Sequence, residues 1–125
     1  MGLIGGMLGH ASEVNAEKLH KEFSSILVEN EYIEKAFRII RDLYVFTNKR
    51  LVLVDKQGVT GSKREYLTIP YKSIIRFSKE STGLLDFDAE LKIWIVGEKE
   101  PIVKEFRKDS SVNDIYKILS KHILG

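Results

Sequence analysis

Between Glu31 and Lys108 the chain is a succession of short runs rich in Val, Ile, Leu, Tyr and Phe, interrupted at strand-length intervals by Asn, Gly, Lys and Asp. Runs this short, bounded by turn-forming residues, read as strands rather than helices. They are Tyr32–Ile40, Leu43–Thr47, Arg50–Asp55, Glu65–Ile69, Ser73–Ser78, Ala89–Val96 and Ile102–Arg107. This spacing predicts about seven antiparallel strands. In the sixth run Ala89, Leu91, Ile93 and Ile95 alternate with Glu90, Lys92 and Trp94, so one face belongs to a core and Trp94 falls on the other. Asn48 and Lys49 make a short hairpin connection, for which an Asn in the left-handed conformation is expected. Gly58 and Gly61 mark an exposed loop or hairpin end, and Pro70 closes a run and holds Ile69 extended.

Two amphipathic stripes flank this region. From about residue 12 to 28, Val14, Ala16, Leu19, Phe23, Ile26 and Leu27 recur at helical spacing, with Ser12 or Asn15 available as the cap. From about 111 to 124, Val112, Ile115, Ile118, Leu119 and Ile123 form a second stripe. It opens on Ser111 and Asp114 in capping-box spacing and closes on Lys117, Lys121 and His122, where cations complement the helix dipole. The expected fold is mainly β with flanking helices: a seven-stranded antiparallel sheet curled on itself, plugged by the C-terminal helix and preceded by an extra N-terminal one.

At 125 residues, with 43% hydrophobic and 30% charged side chains, one core is expected over residues 11–125. Residues 1–10, MGLIGGMLGH, hold four of the nine glycines beside Leu3, Ile4, Met7 and Leu8. They are expected to be a flexible apolar tail, either disordered or docked on another surface. The tail is too short to span a bilayer, lacks the parts of a secretory signal, and has Gly6 where an acylation signal wants Ser or Thr. With zero cysteines the chain has no disulfide, thiolate nucleophile or cysteine-based metal site. These features lead us to expect a cytoplasmic protein, with membrane association left open.

Few kinds of chemistry survive inspection. Twenty basic against eighteen acidic residues, interspersed along the chain, do not make the concentrated patch that nucleic-acid binding needs. His10, His20 and His122 share no ligand spacing, and the alternating Asp86, Asp88 and Glu90 read as a solvated strand edge. No serine sits in a nucleophile elbow, and Gly58 and Gly61 lack the Lys-Ser/Thr of a phosphate loop. No enzyme activity, metal or cofactor is therefore expected.

The strings FTNKRLVLVDKQG, YLTIPYKSIIRFS and DFDAELKIWI, followed by EPIVKEF, resemble the bacterial pleckstrin-homology (PH) domain family over residues 11–124. The resemblance implies a PH-like barrel closed by a C-terminal helix, and self-association into rings or smaller oligomers. It does not bring inositide binding with it. The segment Arg38-Ile39-Ile40-Arg41-Asp42-Leu43 is too short and too poor in cations for a phosphate cradle, and the closing helix has Tyr116 where eukaryotic relatives carry Trp.

The expected function is a binding or assembly module, most simply a homo-oligomer, with a different protein as the other partner. Leu3, Ile4, Met7, Leu8, Leu19, Phe23 and Trp94 are its contact candidates. The first helix either contributes that contact or covers its own barrel. Trp94 either marks a contact surface or lies under that helix. The alternative is a peripheral membrane or anionic-ligand module in which Lys49, Arg50, Lys56, Lys63 and Arg64 face phosphates, giving a weak contact with anionic membrane.

Overall fold

The computed structural model describes residues 11–39, 42–57, 63–81, 88–107 and 111–125. In chain order they form β1 (Ala11–Val14), α1 (Ala16–Phe23), β2 (Ile33–Ile39), β3 (Asp42–Thr47), β4 (Arg50–Gln57) and β5 (Lys63–Pro70). A 3-10 turn (Tyr71–Ser73) leads into β6 (Ile74–Ser81), β7 (Asp88–Ile95), β8 (Ile102–Arg107) and α2 (Val112–Leu124). Each expected run becomes a strand. They do not form one curled sheet: β1 to β5 make a five-stranded antiparallel sheet and β6 to β8 a three-stranded one, in sequence order. The break falls at Pro70, which has no N–H to carry a ladder onward, and at the turn that follows it.

The expected helix over residues 12–28 is shorter, and its start is a strand. Ala11–Val14 pairs with Ile39–Ala36 of β2, and Asn15 ends that strand by capping α1, its side-chain oxygen accepting from the Glu17 N–H at 2.8 Å. Beyond Phe23 the chain leaves the helix through turns whose left-handed residue is Asn30, at φ 66°. The hairpin at Asn48 and Lys49 is held differently from expectation. The Thr47 hydroxyl accepts from the Lys49 and Arg50 N–H groups at 3.0 and 2.9 Å, and no left-handed Asn is used there. Ser111 stands at the start of α2, but its hydroxyl makes no capping bond; the helix is anchored by its buried stripe of Val112, Ile115, Ile118 and Leu119.

Two apolar clusters result. The larger lies between the sheets, where Phe37, Phe46, Leu51, Leu91, Ile93 and Phe106 meet the buried stripe of α2. The smaller lies on the other face of the five-stranded sheet, where Leu19 and Phe23 of α1 cover Ile33, Ala36, Leu43, Val45, Val52 and Val54. Burial on both faces explains why β3 and β4 read as continuous apolar runs instead of alternating ones. The two sheets also meet through Lys104 of β8 and Asp42 of β3, 3.1 Å apart.

Candidate functional site

The sequence candidates separate once they are placed. Leu19 and Phe23 are 5% and 0% exposed, so they are not available to another molecule; α1 spends its stripe on its own sheet. The helix is held there by the edge-on contact of Phe23 with Tyr66 and by Glu22, whose Oε2 accepts from Arg64 Nη1 at 2.7 Å and from the Tyr66 hydroxyl at 2.9 Å. Leu3, Ile4, Met7 and Leu8 lie outside the described residues, as do His10, Gly58, Gly61 and Asp86.

The five cations do not converge. Arg50 pairs with Pro70 at one end of the β4–β5 ladder, while Lys56 pairs with Arg64 and Gln57 with Lys63 at the other. At about 3.4 Å per residue the ends of this eight-residue strand lie roughly 24 Å apart. Arg50 is moreover a structural residue. Its Nε and Nη2 donate to the two oxygens of Glu31 at 2.8 and 2.7 Å, Nη2 also to the Ile26 carbonyl at 3.0 Å, and Nη1 to the Thr68 hydroxyl at 3.1 Å. The buried Glu31 also accepts from the Thr47 hydroxyl at 2.7 Å and from the Val28 N–H at 3.0 Å. The Arg50 hydrogen bonds, opposed by burial and helped by Val28 and Thr47, hold the Glu31 carboxyl down at about 2 from an ordinary 4.5. Arg64 is committed to Glu22, which leaves Lys49 and Lys63 as exposed lysines at opposite ends of the hairpin.

Trp94 is the sequence candidate that the fold leaves on a surface. Leu91 and Ile93 point into the core, which turns Lys92 and Trp94 to the outer face of the three-stranded sheet. Val103, directly across from Lys92, shares that face and is 44% exposed. Val96, two residues past Trp94, is 61% exposed, and Ile75, at the register shift between Ile74 and Arg76, is 58% exposed. The Arg76 guanidinium, across the ladder from Trp94, lies 4.5 Å from the centre of its ring. Neither helix reaches this face: α1 lies on the other sheet and α2 inside the core, so Trp94 does not sit under α1.

A second feature joins residues far apart in sequence, which is why no local pattern announced it. Lys49, Pro70, Tyr71, Lys72, Ile74, His122 and Ile123 line an open groove of about 470 Å³ whose wall carries two lysines and a histidine and no carboxylate. The His122 ring stacks on Tyr71, with centroids 4.2 Å apart, and its Nε2 lies 2.7 Å from Glu34 Oε1 behind the groove. The Tyr71 hydroxyl donates to the Thr47 carbonyl at 2.7 Å, which ties the groove floor to the Glu31–Arg50 pair.

Comparison with known proteins agrees with this architecture. The profile of the family described as Bacterial PH domain matches residues 2–123, and the chain belongs to that family. An uncharacterized Bacillus subtilis protein, YjqA, is 54% identical over 121 residues, covering 96% of this chain and 97% of its own. Crystal structures of a PH-domain protein from Shewanella loihica and of a PH domain from Shewanella amazonensis are similar, at 50% and 49% identity and TM-scores of 0.83 and 0.82. The first alignment covers 92% of this chain and 98% of that one; the second covers 99% and 100%. The fold is PH-like: two antiparallel sheets and a closing helix. Among the described residues no helix is long and apolar enough to cross a membrane, and no group of three His, Asp or Glu side chains is placed to hold a metal.

Proposed function

We propose that the chain is a non-catalytic binding module that self-associates through the outer face of its three-stranded sheet, with Trp94 at the centre of the contact. The observation that carries this reading is the set of exposed Ile75, Val96 and Val103 around the half-buried Trp94 on a face that neither helix covers. Trp and Arg dominate the binding energy of protein contacts, and Trp94 arrives already stacked with Arg76, so little side-chain freedom is lost on docking. The non-catalytic part rests on the family match and the PH-domain neighbours, and it is consistent with Glu31 being held by Arg50 and Thr47 in a buried structural knot. Trp94 is the sole tryptophan, so its emission reports the contact directly. Dilution from micromolar to nanomolar concentration is expected to shift that emission to longer wavelength as the face becomes wet, and Val103→Lys should give the shifted spectrum at every concentration. Emission independent of dilution across that range would remove the reading.

The groove of Lys49, Lys72 and His122 favours a second reading, contact with anionic lipid, relocated from the dispersed 49–64 cations to residues that the fold gathers. Vesicles with anionic headgroups should co-sediment the protein at low salt and release it as the Debye length drops below about 10 Å. Lys49→Glu with Lys72→Glu should abolish the attachment, whereas Lys63→Glu should leave it intact. An unchanged supernatant fraction at low salt would exclude it.

A further inference from the structure

A groove of about 630 Å³ runs between the start of β2, from Tyr32 to Lys35, and a wall of α2 made by Asp114, Lys117, Ile118 and Lys121. Here β2 is an open edge. β1 accompanies it only as far as the Val14–Ala36 pair, and among the described residues no strand stands beside Ile33 to Lys35 on that side. Both main-chain groups of Tyr32 are spent toward β3, its N–H donating to Asn48 Oδ1 at 2.8 Å and its carbonyl accepting from the Asn48 N–H at 3.1 Å. Strand alternation therefore turns the N–H and C=O of Ile33 the other way, out from the open edge. The Ile33 side chain packs in the smaller cluster with α1, so main chain is what Ile33 offers the groove.

From these features we infer that the groove takes an extended acidic segment of a partner protein, added to β2 as a short strand with its carboxylates on α2. The charge and the spacing of the α2 wall point to this occupant. Lys117 and Lys121 are both exposed and lie one helical turn apart, about 6 Å along the axis. Alternate residues of a strand share a face and stand about 6.7 Å apart, so carboxylates at every second position meet both lysines. Lys35 adds a third cation from the β2 side, its side chain 42% exposed and only loosely paired with Glu13 at 3.6 Å. The groove's own acids oppose this little. Glu34 is committed to His122 at 2.7 Å and lies behind Lys121 with its side chain 15% exposed, and Asp114 stands two helical turns from Lys121 at the far end of the wall. Tyr32 and Ile118 offer apolar surface to the side chains between the carboxylates. The open edge then supplies main-chain affinity and the lysines supply selectivity. The site shares no residue with the Trp94 face or with the groove of Lys49 and Lys72.

The probe is a blocked, fluorescein-labelled peptide of eight residues alternating Glu with Val, and its counterpart with Lys in place of Glu. Anisotropy with the full chain is expected to show saturable binding of the acidic peptide and none of the basic one. Lys117→Glu with Lys121→Gln, which leaves His122 on Glu34, should weaken binding about ten-fold or more, whereas Lys49→Glu with Lys72→Glu should leave it unchanged. Circular dichroism checks that each variant keeps its fold. Hydrogen exchange on the wild-type chain gives a reading that needs no variant: the Ile33 amide should be slowed by the acidic peptide, and N-methylation of the peptide on the edge facing β2 should abolish both protection and binding. No saturable binding up to millimolar peptide, equal binding of the basic peptide, indifference to the Lys117 and Lys121 changes, or an Ile33 amide unmoved by the peptide would each overturn the assignment. So would an Ile33 amide that is already protected in a concentration-dependent way without peptide, because a second copy would then hold the edge.

Discussion

Phe23→Ala is expected to destabilise the protein by about 4 kcal/mol without changing its subunit mass. The ring is 0% exposed and fills the space between α1 and the outer face of the five-stranded sheet, against Leu19, Ile33, Ala36 and Val45. Truncation removes that apolar surface and leaves a cavity that neighbours anchored in β2 to β4 can only partly fill. The edge-on contact with Tyr66, 5.8 Å between ring centres, is lost as well. The midpoint and slope of urea unfolding measure the effect, and light scattering on the same sample measures mass. A smaller oligomer of undiminished stability would instead make Phe23 an intermolecular contact and contradict the smaller core.

The second large effect belongs to Glu31 and Arg50. Glu31→Ala leaves a guanidinium with 18% of its side chain exposed and no anion beside it, and is expected to cost about 3–5 kcal/mol. The same pair sets a pH dependence. Because folding lowers the Glu31 carboxyl from 4.5 to about 2, its contribution is complete above pH 5 and disappears as pH falls through 2. At 1.36 kcal/mol per unit this amounts to at most about 3 kcal/mol. Glu31→Gln removes the titrating group, so the stability gap between wild type and this variant should close as pH is lowered from 5 to 2. A gap that stays constant through that window would show that the carboxylate form is not what the fold stabilises.

How much of this was legible in the sequence differs from element to element. Alternation in Ala89–Ile95 and the stripe from Val112 to Leu119 carry their own periodicity, so β7 and α2 were readable from local residues. Residues 11–14 were not, because Val14 fits both a helical stripe and a strand, and the deciding partner, Ala36 to Ile39, lies more than twenty residues away. Asn15 was the better of two readable caps, and choosing it would have released the preceding residues from the helix. The site misled for a related reason. Lys49, Arg50, Lys56, Lys63 and Arg64 are neighbours in sequence, but the β4–β5 register puts them at opposite ends of a hairpin, and Glu31, nineteen residues from Arg50, takes that charge out of service. Lys72 and His122, which join Lys49 in one groove, are brought there by the turn after Pro70 and the last turn of α2. The unusual position of Trp94 was visible, because its parity on the strand was; the identity of the face beside it had to wait for β6 and β8 to be paired.

The central claim, self-association through the Trp94 face, is tested most directly by absolute mass from light scattering on the full chain over a range of concentrations, beside Trp94→Ala with Val103→Lys. The account predicts a discrete oligomer of the 14.3 kDa chain that the double substitution drives toward the single-chain mass while the circular dichroism is retained. A mass of one chain at every concentration, or an oligomer indifferent to the two substitutions, would contradict it.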